Sequence, residues 1–373
     1  MKKLFIITGE HSGDLHASFV VNHLKELNPN IEIEAIGGEN LKRTGIKLFN
    51  DHSKMQSMGF NLKMLFDHFI IGKKLLNYLK TEYKPDLVLL IDYGGFNLNI
   101  AKFLKKDGFK IYYFIPPQIW ASRKWRIKSV KKYIDKVLTI FPFENKLYEE
   151  AGINVEYVGH PLVKELALNK ETKKDLLFQK YDLDKNKKLV SIFPGSRELE
   201  LKYLLKTFLK SKEKIEKKIS DIQFVIAQAN NISDELLNKY LKDYPIKVIK
   251  QENYALLKHS DALILASGTV ALEAALYGTP MLISYKGPWL LYLIYLLVRC
   301  INKVSLPNII LNKIVIKELI QWKSNADDIS EEIVKILQDN EYRNNMTKNL
   351  EAVRSLISDK DATYQVALSI LEL

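Results

Sequence analysis

A single cysteine, Cys300, in 373 residues excludes an intramolecular disulfide and any multi-cysteine metal cluster. It also argues against a disulfide-stapled secreted architecture. Long hydrophobic runs are missing too. The longest, Trp289 to Val298, falls well short of the roughly 20 residues a spanning helix needs, so no membrane-crossing segment is expected. Met1-Lys2-Lys3 is followed only by Leu4-Phe5-Ile6-Ile7 before a polar loop; that run is too short for a signal-peptide core and suits a first buried strand. No repeat with a period of roughly 20–50 residues and no low-complexity segment stands out. The seven histidines include no H-E-x-x-H arrangement, His11 and His16 make a poor metal site, and the acidic pair Asp182-Leu183-Asp184 lies in a polar turn, so no metal is expected.

What is present is an ordinary globular mixture, 47% hydrophobic and 27% charged, which rules out wholesale disorder. At about 150 residues per domain the length suggests two or three domains. Lys and Arg total 56 against 44 Asp and Glu, a net charge of +12. That excess favours an anionic partner and by itself leaves three classes open: nucleic acid, a phosphorylated substrate or an acidic membrane surface.

Short apolar runs alternate with amphipathic stretches. Leu4–Thr8, Ile31–Ile36, Leu87–Asp92, Lys110–Ile115 and Lys136–Ile140 read as strands; Leu15–Leu27, Met64–Thr81 and Leu98–Lys106 carry helical spacing. After a polar stretch around 169–188 the rhythm restarts, with strands at Leu189–Phe193, Gln223–Ala227, Ile246–Ile249, Ala262–Leu265 and Met281–Ser284. Strands apolar at nearly every position suit a parallel sheet covered on both faces. The expected fold class is therefore α/β, with two Rossmann-like doubly wound domains, 1–165 and 166–349. From about Asp327 the chain reads as helical throughout, and the tail helices 350–373 are expected to rejoin the first domain. In such domains ligands bind beyond the carboxyl ends of the strands.

Several strand-end loops have unusual composition. Thr8-Gly9-Glu10-His11-Ser12-Gly13-Asp14 permits close backbone approach and offers Ser12 or Asp14 as a helix cap, but lacks G-x-G-x-x-G spacing. Asp92-Tyr93-Gly94-Gly95-Phe96-Asn97 puts a carboxylate at the end of a buried strand, where it serves either as a turn cap or as a general base. The loop Pro116-Pro117-Gln118-Ile119-Trp120-Ala121-Ser122-Arg123 offers an amide, an apolar face and a cation. Pro194-Gly195-Ser196-Arg197-Glu198 reads as a phosphate seat, with an Arg197 paired to Glu198 or Glu200 as the alternative. Ser267-Gly268-Thr269 at a helix start again suits phosphate, and Glu273, one turn on, is placed to accept from a ribose diol or simply to meet the macrodipole. Lys286 to Lys303 holds a helix apolar around most of its circumference, to be either buried or laid in a membrane interface.

These loops, in this order, resemble lipid-A-disaccharide synthase, a family of membrane-associated glycosyltransferases, from Gly9 to Gln321. The family's G-E-x-S-G-D stands as Gly9 to Asp14, its D-x-x-x-F-N as Asp92 to Asn97, and its P-x-x-W-A as Pro117 to Ala121. Phe141-Pro142-Phe143-Glu144, Gly159-His160-Pro161, Pro194-Gly195-Ser196-Arg197, Ser267-Gly268-Thr269 through Glu273, Ser305-Leu306-Pro307-Asn308 and Glu318-Leu319-Ile320-Gln321 complete nine collinear motifs. The chain departs from the pattern at Gly94-Gly95, where many members carry Pro and a second acidic residue, and at Ser122, where W-A-W-R has its second Trp.

The resemblance implies a GT-B type glycosyltransferase that needs neither metal nor other cofactor. It joins UDP-2,3-diacylglucosamine to 2,3-diacylglucosamine 1-phosphate (lipid X), giving a β-1,6 disaccharide 1-phosphate and UDP. It implies Asp92 as base, Arg197 and the Ser267–Thr269 amides on the leaving UDP, and Glu273 on the ribose. Further substrate contacts are implied at Glu10, Ser12, Asp14, Asn97, Gln118, Trp120, Gly195, Ser196, Gly268, Asn308 and Gln321, the last two on the donor side. The location implied is the cytoplasm, on an anionic inner membrane touched through 286–303, with no nucleic-acid partner and the oligomeric state, a homodimer included, left open. Two other readings compete: a related two-domain GT-B enzyme on a different UDP-sugar, such as a soluble transferase or a UDP-GlcNAc 2-epimerase, and a non-catalytic nucleotide-sugar or lipid-binding protein.

Overall fold

The computed structural model describes residues 3–9, 11–51, 71–169, 171–242, 244–357 and 359–372. Two compact units divide them: residues 1–164 with 357–373, and residues 165–356.

The first unit is built on seven parallel strands: β1 (Lys3–Ile7), β2 (Glu32–Gly37), β3 (Lys47–Asp51), β4 (Leu87–Ile91), β5 (Ile111–Phe114), β6 (Lys136–Thr139) and β7 (Val155–Tyr157). Their order is β3-β2-β1-β4-β5-β6-β7. β4, Leu-Val-Leu-Leu-Ile, is buried at every residue, as a strand covered on both faces must be. The chain winds outward from β1 in one direction and from β4 in the other, so the crevice where the order reverses opens between the loops that follow these two strands. The helix Ala362–Leu371 returns to this unit. Asp361 caps it, accepting the amides of Thr363 and Tyr364 at 3.1 Å, and it packs on the helix His11–Leu27 with Tyr364 edge-on to His23.

The second unit repeats the plan with β8 (Lys188–Phe193), β9 (Ile222–Gln228), β10 (Lys247–Lys250), β11 (Ala262–Ala266), β12 (Met281–Tyr285) and β13 (Lys317–Ile320), in the order β10-β9-β8-β11-β12-β13. All pairings are parallel, and the order reverses between β8 and β11.

The expected strands are found, and three more appear: β3, β7 and β13. Each lies at a sheet edge, where one side lacks a neighbouring strand; Lys-Leu-Phe-Asn-Asp, Val-Glu-Tyr and Lys-Glu-Leu-Ile therefore lack the continuous apolar run used to find the others. The helix expected over Met64–Thr81 is helical from residue 71; residues 64–70 lie outside the described residues.

Candidate active site

In the first unit the loops after β1 and β4 are locked together. A Cβ on Gly9 would lie 2.1 Å from the Tyr93 ring, so only glycine fits under that side chain. Asp92 and Tyr93 both adopt left-handed backbone, φ +51° and +50°, a conformation that costs non-glycine residues about 1–3 kcal/mol each and collects at functional sites. It is held by named bonds. The Asp92 N–H donates to the Phe114 carbonyl at 3.0 Å, and its carbonyl accepts from Asn97 Nδ2 and from the Tyr113 hydroxyl, both at 2.8 Å. Asn97, fully buried, also donates to the Ile91 carbonyl at 3.2 Å. Asn97, expected to touch substrate, spends its Nδ2 on the backbone of the half-buried Asp92, while its buried Oδ1 has no partner among the described residues.

Asp14, also expected to touch substrate, is engaged within the chain. Its buried carboxylate accepts the amides of Gly38, Asn40 and Leu41 at 2.6, 2.9 and 3.3 Å, capping the short helix Glu39–Arg43; both oxygens are engaged. Ser12 and Gln118 are exposed. Glu10 lies outside the described residues. Trp120 is half-buried, edge-on to Phe141 and Phe143, and donates its indole N–H to Glu144 at 2.9 Å. Glu144 also accepts the amides of Ile140 and Phe141; burial pushes its carboxyl up to about 7. His160, against Phe141, is held down to about 3 by burial and by His16 beside it. Trp120 therefore reads first as packing around a buried carboxyl.

In the second unit the loops after β8 and β11 line one cleft of about 380 Å³, which brings together Gly195, Ser196, Arg197, Ser267, Gly268, Thr269 and Glu273. Two details differ from the expected phosphate seat. Glu200 occupies the first loop: its Oε2 accepts the amides of Ser196 at 2.7 Å and Arg197 at 3.3 Å, and a Cβ on Gly195 (φ +113°) would lie 2.2 Å from that oxygen. At the second loop the Ser267 amide is spent on the Ser284 carbonyl at 2.9 Å. The amides of the exposed Gly268 and Thr269, at the start of the helix Val270–Tyr277, have no acceptor among the described residues. Glu273 faces the same cleft; burial first, then the charge of Glu165, raise its carboxyl to about 7. Asn253, which sequence reasoning missed, also lines the cleft, with its buried Oδ1 unpaired. It stands in no shared motif, and only the fold brings the end of β10 here.

Asn308 and Gln321, expected on the donor side, are engaged in bonds within the chain. Asn308 is fully buried, donates to the Ile316 carbonyl and Glu318, and accepts the amides of Val315 and Ile316. Glu318 accepts the amides of Val304 and Ser305, while Gln321 pairs both ways with the Gly287 backbone at 3.3 Å. These groups fasten the two ends of the segment that carries the helix Trp289–Val298. That helix is exposed: Leu290, Leu293 and Leu297 are 68%, 40% and 85% accessible, at the i, i+3, i+7 spacing of a single face. Trp289 and the equally exposed Trp322 lie beside them, rings 6.0 Å apart. Among the described residues no helix is long and apolar enough to cross a membrane.

A family model described as lipid-A-disaccharide synthetase matches residues 4–368. The lipid-A-disaccharide synthase of Trichlorobacter lovleyi is 35% identical over all of this chain and 97% of its own; that of Coxiella burnetii is 34% identical over 98% and 97%. Among solved structures, UDP-GlcNAc 2-epimerase from Neisseria meningitidis bound to UDP-GlcNAc superposes with a TM-score of 0.68 at 16% identity over the whole of both chains. A glycosyltransferase of kitacinnamycin does so with 0.65 at 12% identity, covering 100% of this chain and 98% of that one. These two likenesses establish the GT-B type fold.

Proposed function

The chain belongs to the lipid-A-disaccharide synthetase family, and from that premise we propose that it transfers diacylglucosamine from its UDP donor to O6 of lipid X with inversion, and that Asp92 is the base. The acceptor hydroxyl attacks the anomeric carbon, its proton passes to the Asp92 carboxylate, and the bond from that carbon to the UDP oxygen breaks. The departing charge is met by the open amides of Gly268 and Thr269 and by the exposed guanidinium of Arg197. Glu273 takes the ribose diol.

The observation that carries the reading is the paired left-handed backbone at Asp92 and Tyr93, held by buried Asn97 and Tyr113. A turn cap needs no such strain, and strained backbone held this firmly collects at functional sites. The exposed face of Trp289–Val298, with Trp322 beside it and Arg299 at its end, supports peripheral contact with an anionic membrane, which we place on the cytoplasmic side.

Purified protein in detergent, given UDP-diacylglucosamine, should release UDP only when lipid X is added and should form a disaccharide by mass. Asp92→Asn should lower kcat at least about 100-fold, the lower range for a general base, with donor affinity unchanged. Turnover without acceptor would overturn the transfer reading, and an Asn variant as active as the parent would overturn the base assignment.

A further inference from the structure

The loop that carries Asp92 lies against the Arg126 guanidinium, and neither this group nor that of Arg123, whose charge acts on it, is neutralised by a described residue. Arg123 stands at φ +56° and its carbonyl accepts the Arg126 N–H at 3.0 Å, closing the turn Lys124–Arg126. The turn carries Arg126 Nη1 to 3.7 Å from the position a Gly94 Cβ would take, two residues from Asp92. Tyr113 lies between: its hydroxyl donates to the Asp92 carbonyl, and its surroundings include the charges of both Asp92 and Arg126. Arg126 is half-buried. Neither it nor Arg123 makes an ion pair or side-chain hydrogen bond with a described residue, and burial together with the like charge of Arg123 pulls the Arg126 guanidinium below its ordinary pKa. Two cations held close, one partly out of water, are an arrangement that an anion completes.

We propose that Arg123 and Arg126 form the seat for the phosphomonoester of the acceptor sugar, gripping it while Asp92 meets the hydroxyl at the other end of the same ring. Two planar forks match the oxygens of a phosphate, and such charge-assisted pairs are the strong ones. A Cβ on Gly94 would stand 2.8 Å from Pro117 Cγ and 3.7 Å from Arg126 Nη1, so the loop after β4 approaches that guanidinium closely. The identity of the acceptor rests on the transfer reading above; the anion site rests on the two guanidiniums alone.

The test compares lipid X with its analogue lacking the 1-phosphate, in the parent and in Arg123→Gln/Arg126→Gln. The parent should prefer the phosphorylated acceptor by roughly 10–100-fold in kcat/KM, the range for losing hydrogen bonds to a charged group. In the double variant that ratio should fall to near one with the donor KM unchanged, and Arg126→Lys alone should fall between. An unchanged ratio overturns the proposal. A parent without acceptor-dependent UDP release sinks the transfer reading instead, and the site is then judged by ³¹P NMR of lipid X in detergent. Broadening of the phosphate signal by the parent and not by the double variant supports the seat; equal broadening overturns it.

Discussion

Donor binding should depend on pH through Glu273. Burial and the charge of Glu165 raise its carboxyl from 4.5 to about 7, whereas a ribose diol donating hydrogen bonds favours the ionised form. Binding at low pH must therefore expel a proton. With a pKa near 7, about one molecule in eleven is ionised at pH 6 and about ten in eleven at pH 8, so the donor Kd should rise roughly tenfold from pH 8 to pH 6. The ligand for the assay is the UDP-sugar, because free UDP carries a terminal phosphate that titrates near pH 6. Calorimetry in buffers of differing ionisation enthalpy should find about one proton released per donor bound at pH 6 and almost none at pH 8. Glu273→Gln should flatten the profile and weaken binding at pH 8 by about tenfold. The stability of the free protein runs the opposite way. A folded-state pKa above the unfolded value favours the fold below pH 4.5, and that contribution is lost as pH rises through 7. Glu144 also titrates near 7, and the Gln variant at 273 separates the two. A donor affinity flat between pH 6 and 8, or a slope that survives in Glu273→Gln, would refute the reasoning.

Glu200→Ala frees the amides of Ser196 and Arg197 and should tighten donor binding several-fold, while losing the loop's internal cap costs about 1 kcal/mol in the unfolding midpoint; weaker donor binding by calorimetry would show that the carboxylate shapes the seat rather than fills it. Trp120→Phe removes the indole N–H from buried Glu144 and should destabilise by about 1–3 kcal/mol in denaturant titration. Combined with Glu144→Gln the loss should be less than additive, and strict additivity would break the pairing. Leu290→Ser/Leu293→Ser/Leu297→Ser should cut sedimentation with anionic phospholipid vesicles at least tenfold and leave the thermal midpoint nearly unchanged; intact vesicle binding would remove this face from the membrane.

Composition and periodicity reach the two parallel sheets because their central strands, such as Leu87–Ile91, are covered on both faces and written in nearly unbroken apolar residues. They miss Val155–Tyr157 and Lys317–Ile320, whose edge positions leave half of each strand's surroundings polar. At the site, residue type and spacing identify which loops carry chemistry, since glycine, hydroxyl and charge at a strand end are legible without a fold. What each side chain spends its bonds on is not. Asp14, Asn97 and Asn308 all read as ligand-binding polar residues, yet Asp14, Asn308 and the Nδ2 of Asn97 are taken up by groups that lie close only after folding, with Asn97 Oδ1 buried and without a partner among the described residues. Arg126 and Asn253 escape notice for the converse reason: their partners, or lack of them, come from distant segments.

The fastening of Trp289–Val298 has a consequence for the substrates. Glu318 and Gln321, which hold its ends, sit on and just after β13. β13 pairs with β12, and β12 with β11, whose loop bears the open amides of Gly268 and Thr269. Two strand spacings of about 4.8 Å separate β13 from β11, so the apolar face is a gauge of fixed length measured from those open amides. A bilayer resting on that face would stand at a set height beneath the sugar. Withdrawing a ten-methylene stretch of acyl chain into water would cost about 8 kcal/mol. A transferase with such a gauge can lift the headgroup to the chemistry and leave the chain in the lipid.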